Sequence, residues 1–544
     1  MELGGQSEKP AQGMRTAADV RSRLSGLMKR RALRARDVQL YRVCEELTEP
    51  LIYFMAVVGP WAFGTTQSWS IWLMNGAGYL LGLLLAGKLA IRWLKGYHPP
   101  RWDWPRGREV QSAKSKVNGP ENESSGQMGM TASSLTVILA GLTVAILGYC
   151  LTSALNARAT FLRDELSFAY HSFIPWLPHS LDSSRSWPAF WSYLGLACAF
   201  WAVRDWLLGK VEGEERAERR NPQPGGGVSA PLLPARLRRL LWVLALNGGL
   251  LGLEGIAQRL EGSGKLLFLV KPRVNPGADT QFGPYAYRAN ASQYFNLLWP
   301  VCLAFWWTLN RSYGFRRNAH HVVLFCCGIM AACPIISTSR GGALVTVGIA
   351  MLAALFLTAT HFLLAAHRQQ DRRTRITTLA ALLLFFAGAL ALGLALGWKS
   401  LKPRMAHISE DSEYREQMYE NARPMAADYP LYGTGPGTFE SVFQLYRKTT
   451  DTYWPAQLHN DWLETRITFG WVGSGLIALS FIAVVLRWFA RGGIHGGRRF
   501  IILIWLALVG CLVHARYDFP FQVHSIVFLF LVLCAILFNL TRRP

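Results

Sequence analysis

Apolar residues occur in this chain as long, solid blocks separated by polar segments. Two clear examples are ITTLAALLLFFAGALALGLALGW (Ile376 to Trp398) and ITFGWVGSGLIALSFIAVVL (Ile467 to Leu486). A helix needs about 20 apolar residues to cross a bilayer, and a segment that spans lipid is either a helix or part of a closed barrel. Barrel strands alternate apolar and polar residues, whereas these blocks do not. The pattern therefore predicts an all-α polytopic membrane protein.

The apolar blocks predict about twelve transmembrane helices, of which the first and the eleventh are short. A long polar segment, residues 398–466, separates the ninth from the tenth. Loops of this length without a fold of their own are usually functional or disordered. The aromatic and turn residues of PLYGTGPGTFESVFQLYR (Pro430 to Arg447) argue against disorder, so we expect a functional loop. The predicted spans cover residues 48–64, 69–94, 131–154, 187–208, 238–256, 291–310, 321–338, 342–367, 376–397, 467–487, 499–515 and 521–540.

Charge gives the predicted helices an orientation. The chain has 544 residues, of which 51% are hydrophobic and 17% charged, and its net charge is +23. With the N-terminus in the cytoplasm, the inner segments hold about two thirds of the Lys and Arg residues, as the positive-inside rule requires. We therefore expect both termini in the cytoplasm and the 398–466 loop outside, in the periplasm of a bacterium with the chain in its inner membrane. Topology then accounts for the positive charge, and we expect membrane lipids, not nucleic acid, as partners.

The same assignment divides the chain into three regions. Residues 1–47 form a basic cytoplasmic tail, which either lies as an amphipathic helix on an anionic leaflet or remains a solvated tail. Residues 48–256 form N-terminal transmembrane helices with two cytoplasmic linkers, 112–130 and 221–234. Residues 257–540 form a C-terminal transmembrane region that contains the long loop. No seven-residue or tetratricopeptide-like repeat is visible.

Metal and redox chemistry have little support in the sequence. None of the nine Cys residues forms a CxxC pair, so neither a zinc site nor a disulfide framework is indicated. Asp411 and Glu413, in the sequence EDSE, are candidates for a divalent cation, but a solvated acidic face explains them better. We therefore expect no metal and no cofactor.

Several polar turns are predicted to lie on the outer face. An arginine near a membrane costs about 2.5–3.5 kcal/mol unless it is paired or lies at an interface. Arg340, flanked by hydroxyls and glycine N–H groups in ISTSRGGALVTVG, suits an anion such as phosphate; the alternatives are an interfacial anchor or an ion pair with Asp518. His459 lies in HNDWLETR, where a helix from residue 458 would place it on one face with Trp462, Leu463 and Arg466; the alternative is that it only caps the helix or packs under the loop. The same outer turns also contain Arg288, Asn290, Gly433, Gly435, Gly437, Arg516 and Asp518.

These motifs resemble the O-antigen ligase/polymerase family. The resemblance rests on STSRG (Ser337 to Gly341), DYPLYGTGPGTF (Asp428 to Phe439) and HNDWLETRITFGWVG (His459 to Gly473), with YRANASQYF and YDFPFQ similar to the flanking motifs. It covers about residues 281–540 and is not visible over residues 1–240. It implies a metal-independent glycosyltransferase of the inner membrane, which transfers a glycan from undecaprenyl diphosphate to an acceptor in the periplasm.

The resemblance also implies roles for individual residues. Arg288 and Arg340 would bind the diphosphate, and His459 would be the catalytic histidine, with Ser339, Gly341, Asn460, Glu464 and Asp518 in substrate binding. The chemistry agrees, because arginines stabilise a leaving diphosphate and a histidine can accept the proton of an attacking hydroxyl. Glu464 or Asp461 could orient that histidine. A single displacement would invert the anomeric carbon, and the acceptor is a glycan, a lipid or a protein.

A second class of function fits the same hydropathy. A transporter or flippase of lipid-linked glycans would also combine basic residues with many helices. It should have ionisable groups near the bilayer midplane and paired broken helices, whereas this chain concentrates such groups at one face. We therefore favour a ligase or polymerase in the assembly of O-antigen or another surface polysaccharide.

Overall fold

The structure, a computed structural model, describes residues 33–103, 132–220, 233–313, 319–365, 372–448, 454–490, 494–495 and 497–541. Most of the predicted basic tail lies outside these residues, as do the 112–130 linker and most of the 221–234 linker. The described residues form fifteen α-helices. In chain order these are α1 (Ala35–Trp61), α2 (Ser68–Lys95), α3 (Ala132–Leu155), α4 (Ser183–Leu208), α5 (Glu212–Arg220), α6 (Ala235–Glu261), α7 (Arg288–Tyr313), α8 (His321–Ile336), α9 (Arg340–Ala365), α10 (Arg372–Ala406), α11 (Ile408–Asp428), α12 (Phe439–Val442), α13 (Asp461–Leu486), α14 (Arg498–His514) and α15 (His524–Asn539).

A helix lies at each of the twelve predicted spans, although not all of these helices are long and apolar enough to cross a membrane. Among the described residues six meet both conditions, and α8 and α15 are apolar but have only 16 residues each. Sixteen residues rise about 24 Å, less than the roughly 30 Å of a hydrocarbon core. The chain is thus a multi-pass membrane protein, and the count of twelve crossings stays a prediction. The six segments are Ser68–Lys95, Ser133–Leu155, Ala235–Glu261, Arg340–His361, Ile376–Ala406 and Asp461–Phe489.

Helix α7 lies at the centre of the C-terminal region. It packs against α6, α8, α9, α14 and α15. Its middle, from Leu297 to Trp306, is buried at every position, as expected for a helix that is apolar on all sides. Because the body of α7 is held by so many neighbours, its first residue, Arg288, and the preceding Tyr287 have a fixed place at one end of the bundle.

The described part is not purely helical. Between α3 and α4 the chain forms an antiparallel hairpin of β1 (Ala159–Leu162) and β2 (Ser167–Tyr170), with Ala159 opposite Tyr170. A second, two-residue pair is parallel and joins β3 (Ile494–His495) to β4 (Leu540–Thr541). The all-α prediction did not include these strands, since each is too short to leave a periodic pattern.

Helix α13 is broken at Gly470, and the GTGPG segment fits into the break. Gly470 has φ 59° and ψ −164°, which interrupts the helical hydrogen bonds. The loop supplies replacements, because the N–H of Thr434 donates to the carbonyl of Ile467 at 2.8 Å and the N–H of Trp471 donates to that of Pro430 at 3.0 Å. A Cβ on Gly433 would lie 2.5 Å from the nitrogen of Gly470. Gly433 therefore permits close contact between two backbone segments and is packed against protein.

Candidate functional site

Turns from distant parts of the sequence meet at one end of the helix bundle. They are the start of α7, the turn before α9, the α10–α11 junction, the segment before α13 and the loop between α14 and α15. These turns are joined by side-chain contacts of five residues: His459, Asp518, Tyr287, Arg340 and Arg415. Four residues expected at one face, Arg288, Arg340, His459 and Asp518, thus come together.

The imidazole of His459 is paired with the carboxylate of Asp518. Nδ1 of His459 lies 3.1 Å from Oδ1 of Asp518, and the hydroxyl of Tyr287 donates to Oδ2 at 3.3 Å. Burial alone would raise the pKa of Asp518, but the His459 hydrogen bond and the charges of His459 and Arg415 outweigh it and lower that pKa below its usual value. Asp518 is therefore a carboxylate that accepts the Nδ1 proton. In that tautomer of neutral histidine, Nε2 is the proton acceptor.

His459 lies just before helix α13 and not on it. The helix begins at Asp461, because the side chain of Asn460 caps it by accepting a hydrogen bond from the N–H of Leu463 at 3.2 Å. The predicted face of His459, Trp462 and Arg466 therefore does not form. His459 has φ 57°, a left-handed conformation that is uncommon outside glycine. The cap fixes the chain directly after the histidine, so Asn460 has a positioning role in this arrangement.

Aromatic rings surround the imidazole. The ring of Phe519 meets that of His459 edge to face at a centroid distance of 4.8 Å, and the ring of Tyr287 does so at 5.9 Å. Tyr287 and Phe519 stack on each other at 5.3 Å. The hydroxyl of Tyr419, on α11, donates to the backbone carbonyl of His459 at 2.8 Å. These contacts restrict the orientation of the ring, whose side chain retains 29% exposure.

The carboxylate that orients His459 is Asp518, so the expectation of Asp461 or Glu464 in that role is wrong. The carboxylate of Asp461 accepts from the N–H of Phe521 at 2.7 Å and from Nε2 of Gln522 at 3.1 Å. Glu464 accepts from the N–H of Leu458 at 2.8 Å. Both side chains are buried and serve the backbone on either side of the site. Sequence proximity favoured them, whereas Asp518 reaches the histidine through the packing of α13 against the α14–α15 loop.

Arg340 joins the start of α9 to the end of α10. Its Nη1 donates to the carbonyl oxygens of Arg404 at 3.2 Å and of His407 at 3.3 Å. These lie at the end of α10, and the last carbonyls of a helix have no partner within the helix. The carboxylate of Asp518 is paired with His459 and not with Arg340. The predicted alternative of an Arg340–Asp518 ion pair is therefore not formed. Ser339 is buried and accepts from the N–H of Gly342 at 3.2 Å, which caps α9. Gly341 lies against His514, whose Nε2 would be 3.0 Å from a Cβ at that position.

Arg340 belongs to a group of four arginines. Arg288 donates to the carbonyl of Asp279, and its Nη1 lies 3.5 Å from the carboxylate of the same residue. Arg404 interacts electrostatically with both Arg288 and Arg340, and its Nε is buried without a hydrogen-bond partner. Arg415 interacts with Arg340 and donates to the carbonyl of Tyr517. We call Arg288, Arg340, Arg404 and Arg415 the arginine cluster.

Two carboxylates lie close to the arginine cluster. Among the described residues, the carboxylates that interact with it are Asp279, whose side chain is 71% exposed, and Asp518, which is shared with His459. Burial lowers the pKa of Arg415, but the carboxylate of Asp518 together with the hydroxyls of Tyr287 and Tyr419 outweighs burial and raises it. Four guanidinium groups held close together are suited to a multivalent anion.

Four residues at this end of the bundle were not predicted from the sequence: Arg404, Arg415, Tyr287 and Tyr419. One signal for Arg415 was present in the sequence. Met418, Ala422 and Met425 recur at helical spacing, so the segment could be recognised as an amphipathic helix with Arg415 and Tyr419 one turn apart. Arg404 had no such signal, because it follows an apolar block that was expected to end at residue 397.

The described residues contain no group of three or more His, Cys, Asp or Glu side chains placed to hold a metal ion. Asp411, one of the two acidic residues considered for a divalent cation, has a side chain outside the described part, and Glu413 is exposed. The expectation of a metal-independent site stays a prediction.

Comparison with known protein families gives a match to part of the chain. The family model described as O-Antigen ligase matches residues 325–478, from α8 into α13. This range contains Arg340, Arg404, Arg415 and His459, whereas Arg288 and Asp518 lie on either side of it. No curated protein matches the chain. The match supports the family that the sequence motifs resembled.

Proposed function

We propose that this chain, whose residues 325–478 match the O-antigen ligase family model, acts in the assembly of O-antigen or another surface polysaccharide. In this proposal it transfers a glycan from a polyprenyl diphosphate, such as undecaprenyl diphosphate, to an acceptor hydroxyl. The observation that carries the proposal is the His459–Asp518 pair beside the arginine cluster. One part suits proton removal from a nucleophile, and the other suits an anionic leaving group. Glycan transfer from a lipid diphosphate requires both at the same place.

The proposed reaction is a single displacement. Nε2 of His459 accepts the proton of the acceptor hydroxyl while the hydroxyl oxygen forms a bond to the anomeric carbon of the donor. The bond between that carbon and the diphosphate oxygen breaks, and the electron pair leaves with the diphosphate. Attack from the opposite face inverts the anomeric carbon. The carboxylate of Asp518 stabilises the imidazolium that forms, as in other histidine–carboxylate pairs.

The arginine cluster stabilises the leaving diphosphate. Negative charge grows on the bridging oxygen as the bond breaks, and preorganised donors in a partly dry site lower the barrier. A guanidinium carries five N–H donors in a planar fork that matches phosphate oxygens. Because the cluster supplies positive charge from side chains, the proposal needs no metal. We expect transfer to persist in EDTA, and a loss that magnesium or manganese restores would contradict this part.

The proposal includes the location of the chemistry. The Lys and Arg asymmetry supports an active face in the periplasm, with the chain in the inner membrane and both termini in the cytoplasm. The acceptor is another glycan repeat, a lipid or a protein. A transporter of lipid-linked glycans would not need a proton acceptor at His459, so the histidine separates the two classes of function.

The test uses purified full-length protein in nanodiscs with undecaprenyl-diphosphate-linked glycan extracted from cells that lack the gene. We expect His459→Ala to reduce transfer about 10²–10⁴-fold while donor binding remains. Arg415→Lys keeps the charge but loses the planar fork, and should weaken donor binding as well as rate. Matched controls are His98→Ala and Arg423→Lys, the latter on an exposed arginine of the same helix α11. Transfer by His459→Ala at the wild-type rate would show that the histidine is structural and that the proposed mechanism is wrong.

A further inference from the structure

The β1–β2 hairpin lies outside the residues matched by the family model, yet it contacts the segment that leads to His459. Phe161 and Phe168 are opposite each other in the two strands, with ring centroids 5.0 Å apart. The indole of Trp454 lies against Phe161 at 6.1 Å. Tyr170 lies on the same face of the hairpin, because it is two residues after Phe168 in β2 and side chains at that spacing point to the same side of a strand. We call Phe161, Phe168, Tyr170 and Trp454 the aromatic platform.

The hairpin has a fixed position relative to the site. The N–H of Phe161 donates to the carboxylate of Asp182 at 3.1 Å, and Asp182 also caps helix α4. Beside it, the N–H of Leu181 donates to the carbonyl of Thr434 at 2.8 Å. The guanidinium of Arg158, at the base of the hairpin, lies over the ring of Tyr429 at 5.6 Å. The platform is therefore held by a helix cap on one side and by the long loop on the other.

The platform faces water and not hydrocarbon. The turn between the two strands contains Arg163, Asp164 and Glu165, all of them exposed. Three consecutive charged residues are not placed in hydrocarbon, where each costs about 2.5–3.5 kcal/mol. The aromatic side chains remain accessible in this setting, with Trp454 39% and Tyr170 74% exposed. Exposed aromatic rings beside charged and hydroxyl groups suit a ligand that is partly apolar and partly polar.

Sugar rings have this mixed character, since their C–H faces are apolar and their hydroxyls are polar. Trp454 is five residues before His459, so the backbone between them spans at most about 18 Å. A chain of a few sugars whose terminal hydroxyl reaches His459 is therefore long enough to contact the platform. The arginine cluster comes from other elements, α7, α9, α10 and α11. The donor diphosphate and the platform thus lie on separate structural elements around the histidine.

We propose that the aromatic platform binds the sugar chain of the acceptor and holds its terminal hydroxyl at His459. The proposal rests on the proposed function and adds the acceptor side of the reaction, including a contribution from the N-terminal helices. Stacking of the C–H faces on Trp454 and Tyr170 supplies affinity, and the polar groups of the hairpin contact the hydroxyls.

The first experiment measures steady-state transfer by full-length protein in nanodiscs as a function of acceptor and donor concentration. We expect Trp454→Ala to raise the KM for the acceptor about 2- to 10-fold, the range of a lost aromatic contact, with kcat and the donor KM unchanged. Tyr170→Ala removes a largely exposed ring and should act in the same direction without a change in folding. Trp72→Ala, which removes an exposed tryptophan at the start of α2, is the control and should change neither KM.

The second experiment detects binding without turnover. Saturation-transfer NMR of wild-type protein uses oligosaccharides released by mild acid from the surface polysaccharide of the source cells. Signals on sugar C–H protons should appear with wild type and Trp72→Ala and should weaken with Trp454→Ala and Tyr170→Ala. If both platform variants keep the wild-type acceptor KM, or if they raise only the donor KM, the acceptor assignment is wrong. Absence of any transfer by wild type would instead contradict the proposed function itself.

Discussion

Replacement of Asp518 by Asn tests how the histidine is activated. The carboxylate of Asp518 accepts the Nδ1 proton of His459 at 3.1 Å and is 5% exposed, so water does not substitute for it readily. Asparagine has nearly the same shape but no charge, and its amide can donate where the carboxylate only accepts. We expect Asp518→Asn to favour the wrong tautomer of His459 and to leave the forming imidazolium without its counter-charge.

The size of the effect follows from the geometry. A hydrogen bond to a charged group contributes about 1.5–3 kcal/mol. At about 1.4 kcal/mol per factor of ten, Asp518→Asn should slow transfer about 10- to 150-fold. Removal of the histidine costs more, about 10²–10⁴-fold. Tyr287→Phe removes the other hydrogen bond to the same carboxylate, 3.3 Å long, and should cost less than about tenfold.

The decisive measurement is a double-mutant cycle on the rate of single-turnover transfer with saturating donor. If Asp518 acts through His459, the variant with both His459→Ala and Asp518→Asn should be no slower than His459→Ala alone. Size-exclusion profiles in detergent report whether each variant is folded. An independent loss, in which Asp518→Asn slows the His459→Ala enzyme by the same factor as wild type, would refute the positioning role. It would then place Asp518 in direct contact with substrate.

Three further predictions concern topology, packing and pH. A reporter fused near Thr450 should be active only outside the cytoplasm, and one fused after Arg543 only inside; the opposite result would reverse the orientation. Gly433→Ala should lower the free energy of unfolding in detergent by about 1–3 kcal/mol, since its Cβ would lie 2.5 Å from Gly470, whereas Gly76→Ala, with open space around it, should be neutral or stabilising. The pKa of Asp518 is lowered in the folded protein, so its charge stabilises the fold above the unfolded-state pKa of about 3.9. The difference in melting temperature between wild type and Asp518→Asn should therefore shrink as the pH falls below about 3.9 towards the folded-state pKa. A difference that grows on acidification would contradict the lowered pKa.

The sequence predicted where the helices lie better than where they end. Apolar blocks locate membrane helices because few other structures tolerate hydrocarbon. They do not locate helix ends, and α10 continues from the expected end at residue 397 to Ala406 through Lys399, Lys402 and Arg404. Those residues are polar but form helices readily. This extension brings the carbonyls of Arg404 and His407 to Arg340, a contact that hydropathy cannot indicate.

The proximity of four candidate residues was predictable, but their partners were not. Arg288, Arg340, His459 and Asp518 were recognised as ionisable groups in polar turns, and the structure brings them together. The pairing of His459 with Asp518 depends on how the α14–α15 loop packs beside the start of α13, a tertiary contact with no local signal. Asp461 and Glu464 stand closer in sequence and were the expected partners, but Glu464 accepts from the N–H of Leu458 instead.

The arginine cluster explains why such a site is better suited to binding a diphosphate than a neutral ligand. At an effective dielectric of about 20, two like charges 8 Å apart repel by about 2 kcal/mol. Arg340 and Arg404 interact with each other and with Arg288, and Arg415 adds a fourth charge. The fold holds these guanidinium groups together through helix-terminal carbonyls and the carboxylates of Asp279 and Asp518. In the proposed reaction, an anion with several charges reduces their mutual repulsion when it binds, and the charge that it gains as the glycan departs is stabilised by groups already in place.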